Sequence, residues 1–461
     1  MKETTGLLST EENTYESNPE KEPITKKEAY KALLAVSFSF MLVFTATISV
    51  FALQSSINEI ADLGVIGLTT NGVGIIVSCL YAPIFVKKFG CKRSLLISLT
   101  CQTGIVLAQF YPRIYTLVPG NIISGFLYGP MWTSQSVYIT MIAIRYANTY
   151  KLDKGEIINH FNGIFWGICL TMKLWGNLIS GFILKPSGEN MLNVTECGKN
   201  YCPYSVPEEV LRPKKPSPFQ IYTIMSIFLV FDILAICTTA IFLKKQQLTV
   251  KLRATSFKSS VLSTLKAHKN LLFILIIPAT IFTAFEQAFM TVEYAQSFVN
   301  CAIGLSYVGW FNVILGIGSS ISSFLLPKVV KRVGQLTIIF IAFFMNMGLL
   351  VFLYLWKPGP NSKALLLTFP ALWAITDSAW QNTLPSYLGL HFSHNQESIF
   401  AAYRLWQGAG YMSNNGYSPF LCMSQKIIIL MSVLVLALIA FTTSKMVIRF
   451  RLKKMIRYND L

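Results

Sequence analysis

Charged residues are scarce in this chain, and acidic residues are the scarcest of them. Only 13% of its 461 residues are charged, with 21 acidic side chains against 39 basic ones. Soluble domains carry about 25% charged residues, so this composition excludes an ordinary soluble protein. The sequence also lacks a Walker loop, an HExxH zinc motif and a nucleophilic-serine motif, and its four histidines follow no metal-ligand spacing. We therefore expect no enzyme activity, no cofactor and no metal site.

The start of the chain lacks the features of a cleaved signal peptide, namely a basic segment followed by a short apolar core. Residues 1–31 are polar and contain seven glutamates, which predicts a disordered cytoplasmic tail. Glu3 followed by Leu7 and Leu8 matches an acidic dileucine sorting pattern. That pattern would indicate an endolysosomal pool, although patterns this short also arise by chance.

Hydrophobic residues make up 53% of the chain and occur in about twelve blocks long enough to cross a bilayer. A transmembrane helix takes about 20 mostly apolar residues. We predict spans at residues 32–53, 64–86, 94–111, 115–143, 160–184, 219–243, 271–293, 304–327, 336–356, 364–386, 398–421 and 426–449. The expected fold class is therefore all-α, a polytopic membrane protein with twelve transmembrane helices.

Basic residues give the chain a net charge of +18 and lie mainly at one set of span ends. They cluster after the second, fourth, sixth and eighth spans and in the tail at 450–461. Cytoplasmic loops carry such an excess of lysine and arginine, so both termini are predicted to be cytoplasmic. The lipid bilayer thus accounts for the charge, and we expect no nucleic-acid partner.

The loop after the fifth span has the features of an extracellular segment. It contains Asn193-Val194-Thr195, the only N-glycosylation sequon in the chain. Cys197 and Cys202 lie in the same loop, and two cysteines in an oxidising compartment predict a disulfide. The alternative is two free thiols. Cys301 and Cys422 also fall near outer span ends and could form a second bridge.

Three short sequence matches relate the two halves of the chain at nearly one offset. Val86–Gly90 matches Val330–Gly334 at 244 residues, Trp132 matches Trp380 at 248, and Trp166 matches Trp406 at 240. We predict a six-helix half at 32–243, a basic cytoplasmic linker at 244–270 and a second six-helix half at 271–449. Duplicated six-span halves are the plan of the major facilitator fold, in which the working cavity lies between them.

Several motifs resemble those of the Unc-93 family. They are Leu53-Gln54-Ser55-Ser56, Gly90-Cys91-Lys92, Trp175-Gly176-Asn177-Leu178-Ile179-Ser180, Asp377 with Trp380-Gln381, and Tyr403-Arg404-Leu405-Trp406, together with the paired cysteines Cys197 and Cys202. The resemblance covers all of the chain except the N-terminal tail and the central linker, and it is greatest to the A-type branch. It implies a major-facilitator-like plasma-membrane protein, in a family with members that regulate potassium channels.

The chain departs from the family pattern at two places in its spans. Thr171, Met172 and Lys173 stand where the family has two small polar residues, and Asn382–Pro385 replaces an amide-rich run. If these positions contact a solute or a partner, specificity differs in this chain. The turn Gly90–Arg93 also resembles a facilitator loop motif but lacks its acidic residue, which argues against a transporter gate there.

Charged and polar residues inside the predicted spans are the candidates for a functional site, because a charge at mid-membrane costs about 2.5–3.5 kcal/mol on insertion scales. Residues predicted to line a cavity or contact a partner are Gln54, Asn58, Trp132, Gln135, Lys173, Asn177, Glu286, Asp377, Trp380, Gln381 and Arg404. For two further charged residues we expect no role in a functional site. Asp232 is expected to face a neighbouring helix, and Glu293 is expected to lie at the outer interface.

These charges have two interpretations. They could form a polar cavity that binds an ion, a proton or a small solute. They could instead form structural pairs that lock the bundle, such as Asp377 with Arg404. Two glycine pairs, Gly125 with Gly129 and Gly163 with Gly167, predict close helix packing rather than a ligand site.

Three functions remain open from the sequence. The resemblance favours a regulatory or accessory subunit of a potassium channel. The twofold repeat and the intramembrane charges favour a secondary transporter of a small solute or ion. A trafficking chaperone for other membrane proteins is the third.

Overall fold

The structure, a computed structural model, describes residues 23–57, 63–183, 197–203, 217–244, 257–304, 306–392 and 396–459. Within these ranges the chain is almost entirely helical and contains no β-strand. Asn58 and Asn193, two of the predicted site residues, lie outside the described residues, and the side chain of Gln54 is also not described.

The described residues of the first half form six α-helices. They are α1 (Lys26–Ile57), α2 (Leu63–Ala108), α3 (Ile114–Tyr150), α4 (Lys154–Cys169), α5 (Met172–Ile183) and α6 (Pro218–Phe242). Helix α2 contains the second and third predicted spans, which meet at Gly90, where the backbone leaves the helical region with φ 75° and ψ 158°. Helices α4 and α5 together form the fifth span, with a break at Leu170 and Thr171.

The second half follows a short helix, α7 (Phe257–Lys266), which lies in the predicted linker. Its elements are α8 (Leu271–Ile274), α9 (Ile277–Ala288), a π-helical segment (Phe289–Asn300), α10 (Cys301–Ile303), α11 (Ser306–Val333), α12 (Gln335–Leu355), α13 (Lys363–His391), α14 (Gln396–Tyr417) and α15 (Met423–Asn459). Helix α15 thus continues from the last span through most of the predicted C-terminal tail.

Seven helical stretches of the described chain are long and apolar enough to cross a membrane. They are Lys26–Phe51, Thr70–Ala108, Pro218–Phe242, Leu271–Ile303, Tyr307–Val333, Gln335–Leu355 and Met423–Arg451. The predicted spans four, five, ten and eleven are also helical but are not among these stretches. Those four spans have polar residues on faces that are buried in the bundle, which lowers their mean hydropathy. They also provide most of the candidate site.

The two halves meet through close helix contacts that need glycine. A Cβ atom on Gly163 of α4 would lie 2.4 Å from Cγ of Pro327 and 2.8 Å from the backbone oxygen of Ser323, both on α11. A Cβ on Gly167 would lie 2.7 Å from the Phe324 ring. The hydroxyl of Ser320 also donates a hydrogen bond to the carbonyl of Gly167. The predicted close packing at this glycine pair is confirmed.

The second predicted glycine pair allows two helices of the first half to pack closely. A Cβ on Gly125 would lie 2.4 Å from the backbone oxygen of Asn71, and one on Gly129 would lie 2.7 Å from the backbone of Ser78 and Cys79. Helices α2 and α3 therefore approach with backbones nearly in contact, as the glycine spacing predicts.

The turn at Gly90 recurs in the second half. Gly334, which is 244 residues later, has φ 86° and ψ 156°, close to the φ 75° and ψ 158° of Gly90. A positive φ of this size disfavours a side chain, so both turns retain glycine. The sequence repeat therefore has a structural counterpart in the turn that follows the second span of each half.

Both cysteines of the outer loop bond to the second half. Cys197 is bonded to Cys301 and Cys202 to Cys422. The predicted bond between Cys197 and Cys202 is therefore wrong. The segment between them makes a helical turn at Gly198–Asn200 and docks on the second half, where Met423 N–H donates to the Tyr201 carbonyl at 2.9 Å. Each cysteine thus meets the end of a different helix, which sequence proximity could not indicate.

Candidate functional site

The candidate site lies where α5 of the first half faces α9, α11 and α13 of the second. Lys173 on α5 is half-buried, and its ammonium interacts electrostatically with the carboxylates of Asp377 and Glu286. Gly316 on α11 makes room for it, because a Cβ there would lie 3.0 Å from Cβ of Lys173. The position is set by the break after Cys169, which starts a new helix immediately before Lys173. The lysine predicted to face a protein interior therefore faces two acids of the other half.

Asp377 is held by polar side chains from two neighbouring helices. Ser319 on α11 donates to its Oδ2 at 3.4 Å, and Gln287 on α9 donates to its Oδ1 at 3.5 Å. Gln287 in turn accepts a hydrogen bond from the hydroxyl of Tyr411 on α14. Gln287 and Tyr411 are only half-buried although both lie in mid-span.

Glu286 has the most isolated carboxylate of the site. It is fully buried, and neither oxygen has a hydrogen-bond partner among the described residues. The side-chain amide of Asn346 on α12 lies beside it. Glu286 and Asp377 repel each other, and Lys173 attracts both. Two acids facing one lysine make a site that would favour an additional cation or proton.

Arg404 belongs to a separate, aromatic part of the interface between the halves. Its guanidinium lies 4.3 Å from the ring centre of Trp132 on α3, and Trp132 stacks on Trp166 of α4 with ring centres 5.7 Å apart. An Nη of Arg404 donates to Gln407 at 2.6 Å. Cation–π contacts of this kind are worth about 0.5–2 kcal/mol, more when desolvated.

The predicted pair of Asp377 with Arg404 is wrong, because these two described side chains form no ion pair. The reason is the orientation of their helices. Helix α14 packs against α2 and α3 of the first half and turns Arg404 toward Trp132, whereas Asp377 on α13 faces α9 and α11. Helices α13 and α14 are consecutive in the chain, yet they direct Asp377 and Arg404 toward different partners.

The remaining predicted site residues are dispersed. Trp380 is fully buried against Phe282, with ring centres 5.2 Å apart, and does not join the Trp132 stack. Gln381 is buried beside Asp377. Gln135 is buried and accepts from Ser136. Asn177 donates to the backbone oxygen of Lys173 at 2.7 Å, so its amide serves its own helix.

The sequence reasoning missed a charged pair that is buried inside the bundle. Glu293 forms an ion pair with Lys426, and both side chains are almost completely buried. Lys426 also donates to Ser418 at 3.3 Å. The depth of Glu293 at the outer interface stays a prediction, and the structure adds that protein shields its carboxylate from solvent. The sequence signal that could have identified the pair is Lys426 at the start of the last apolar block. Its charge is opposite to that of Glu293, near the outer end of the seventh block.

Asp232 on α6 lies apart from the candidate site. It is buried, and the Thr103 side chain on α2 lies beside its carboxylate. The expectation that it faces a neighbouring helix is confirmed.

Comparison with known proteins relates the chain to one family. A family model described as "Ion channel regulatory protein UNC-93" matches residues 54–442. "Protein unc-93 homolog A" of Xenopus laevis is 34% identical over 422 residues, covering 89% of this chain and 92% of that protein. The Caenorhabditis elegans protein named "Putative potassium channel regulatory protein unc-93" is 25% identical over 403 residues, covering 84% of this chain and 56% of that protein.

Solved structures with a similar fold are transporters of the major facilitator superfamily. The transporter FucP in its outward conformation matches with a TM-score of 0.64 at 12% identity, covering 90% of this chain and 98% of that one. The proton:xylose symporter XylE matches with a TM-score of 0.63 at 15% identity, covering 90% and 95%. At such identities the likeness concerns the fold alone. The predicted fold class is confirmed: this chain is a polytopic helical membrane protein with the major facilitator fold, and it belongs to the Unc-93 family.

Proposed function

We propose that this chain is a regulatory subunit of a potassium channel in the plasma membrane. The observation that carries the proposal is the family match over residues 54–442, a family described by its role in ion channel regulation. The nematode relative is named for potassium channel regulation. A regulator acts by contacting a channel in the bilayer and by altering its gating or its surface level.

The turn between the second and third spans supports a regulatory role over transport. Facilitator transporters use an acidic residue in this loop motif, and the chain has none between Gly90 and Arg93. Lys92 instead donates to the backbone oxygen of Ala240 at 2.8 Å, which fastens the turn to the end of α6. The basic residue of the turn thus has a structural role.

Co-expression with two-pore-type potassium channels tests the proposal. We expect the current or the surface level of at least one such channel to change, and that channel to co-purify after gentle solubilisation. An unrelated major facilitator protein expressed at the same membrane level is the control. Unchanged currents across the channel panel together with no co-purified channel would contradict the proposal.

A second candidate function is secondary transport of a small solute or ion. It is favoured by the charge arrangement across the halves, in which Lys173 faces Asp377 and the unpartnered Glu286. Flux into proteoliposomes separates the two functions. Transport predicts flux that Asp377→Asn abolishes at unchanged expression. Asp232→Asn is the matched control, since it neutralises a buried acid outside this charge group.

A further inference from the structure

A cavity of about 320 Å³ lies between the start of α12 and the C-terminal half of α15. It is lined by residues 333–337 together with Lys445 and Arg449. Pockets for small ligands begin at about this size, roughly 300 Å³. The cavity lies at the end of the bundle where the basic turns are found, and it is remote from the charges of the candidate site.

Both charged side chains that line this cavity are cations, and the helix start beside them is also electropositive. The first turn of α12 has no side-chain cap, so the N–H groups of Gln335, Leu336 and Thr337 carry the positive end of the helix dipole. Lys445 and Arg449 approach from α15. Lys445 donates to Oε1 of Gln335 at 2.7 Å and lies over the ring of Tyr387 at 4.6 Å. Neither cation forms an ion pair with a described acid.

Such a grouping is unfavourable unless an anion balances it. Two cations facing the N-terminus of a helix repel its dipole, whereas an anion between them would interact favourably with all three. The cavity therefore has the chemistry of a phosphate site formed by two side chains and one helix start.

In the first half, the lysines at the corresponding place are bound to partners within the protein. Position 336 corresponds to 92 by the 244-residue repeat, and Lys92 there donates to Ala240 at the end of α6. Lys244, just beyond α6, pairs with Glu28 at 2.6 Å. In the second half the Leu336 side chain cannot donate such a bond, and neither Lys445 nor Arg449 pairs with a described acid. The basic groups of the second half are therefore left available to an anion.

We propose that this cavity binds the phosphate-bearing headgroup of an anionic phospholipid. The two helices that form it are lipid-facing: Ile341 and Phe344 on α12 and Ile439 and Met446 on α15 are all more than half exposed. Acyl chains can lie along these side chains while the headgroup enters the cavity. Basic pockets between transmembrane helices bind anionic lipid headgroups in this way.

The position of the site also connects it to the interface between the halves. Gln335, which accepts from Lys445, donates its amide to Oδ1 of Asn159 on α4 at 3.4 Å. Lys331 near the end of α11 pairs with Glu156, also on α4. A bound headgroup would therefore stabilise a segment that contacts the other half.

Native mass spectrometry of the full-length protein in detergent tests the site. The probes are a dioleoyl phosphatidylinositol phosphate, dioleoyl phosphatidylcholine, and soluble inositol phosphate. We expect one anionic lipid per chain to bind in preference to phosphatidylcholine. Arg449→Gln should weaken this binding about tenfold, the loss expected for a charged hydrogen bond, and Lys445→Gln/Arg449→Gln should remove it.

The matched control is Lys328→Gln/Arg332→Gln, which removes the same charge from exposed residues of α11 that do not line the cavity. We expect lipid affinity within about twofold of the wild type. Arg449 is exposed, so Arg449→Gln should leave folding intact. A loss of lipid binding in this variant then reports on the cavity and not on misfolding. Equal binding of phosphatidylcholine, an equal loss in the control, or full competition by soluble inositol phosphate would each overturn the proposal, the last by showing a site for free anions.

Discussion

Arg404 from the second half lies 4.3 Å from the ring centre of Trp132 in the first half. The contact joins α14 to α3 across the interface between the halves, and it replaces the ion pair with Asp377 that the sequence suggested. A residue that binds an aromatic ring leaves no stranded opposite charge when it is removed, so mutations here have consequences different from those of an ion pair.

A double-mutant cycle should therefore couple Arg404 to Trp132 and not to Asp377. We expect a coupling energy of about 0.5–2 kcal/mol between Arg404→Leu and Trp132→Leu. Arg404→Leu and Asp377→Leu should add to within about 0.5 kcal/mol, because the residues share no contact. Unfolding of the purified variants in detergent measures both cycles. Recovery of stability in the Arg404→Leu/Asp377→Leu double variant would show that the two charges do pair.

The buried pair of Glu293 and Lys426 should show the opposite behaviour. Removing one partner strands the other charge, so Glu293→Leu or Lys426→Leu alone should cost about 3–5 kcal/mol. The double replacement should recover most of that loss, since both charges leave the low-dielectric interior together. Surface biotinylation of the four forms provides the measurement. Single variants that reach the surface normally would mean that water reaches this pair.

The glycine contact between the halves predicts a size limit at Gly163. Gly163→Ala brings a Cβ against the Ser323 backbone and the Pro327 ring of α11, so we expect a loss of about 1–3 kcal/mol. Gly348→Ala on α12 is the matched control, because no atom lies within 4 Å of its Cβ position. Thermal unfolding in detergent should show a lower midpoint for the first variant and an equal or higher one for the second. Equal midpoints would show that the halves separate enough to admit the methyl group.

The disulfide pairing predicts which cysteine is released when its partner is lost. In Cys197→Ser the thiol of Cys301 should become reactive, while the bond between Cys202 and Cys422 remains. Removing a native disulfide typically costs about 2–5 kcal/mol. Peptide mapping without reduction identifies the linked fragments. A fragment that joins residues 197 and 202 in the wild type would reject this pairing.

The proposed orientation places residue 193 outside the cell and both termini inside. Asn193→Gln should therefore remove a glycan and increase electrophoretic mobility, while epitope tags at either terminus should be reached by antibodies only after permeabilisation. Thr195→Ala should have the same effect on mobility as Asn193→Gln, because it breaks the same sequon. Tags that are stained on intact cells would reverse the orientation.

Much of the fold could be predicted because span length and basic loops are local properties of the sequence. The turns at Gly90 and Gly334 and the class of protein follow from residues that are close together in the chain, and the twofold repeat follows from comparing such short segments. The site was predicted less well. Lys173, Glu286 and Asp377 were identified as candidates and do come together, but Ser319, Gln287 and Tyr411, which surround Asp377, carry no sequence signal of their own.

The sequence by itself determined that this protein spans a membrane as a duplicated helical bundle of the Unc-93 family, because burying apolar runs in lipid requires only a sufficient local length of apolar helix. Only the tertiary structure decided which side chains from distant parts of the sequence contact each other. Cys197 bonds to Cys301, Lys426 pairs with Glu293, and Arg404 lies on Trp132, all between residues more than a hundred positions apart. Such pairings depend on how helices cross and rotate against each other. That orientation results from the packing of the whole bundle and from no single segment.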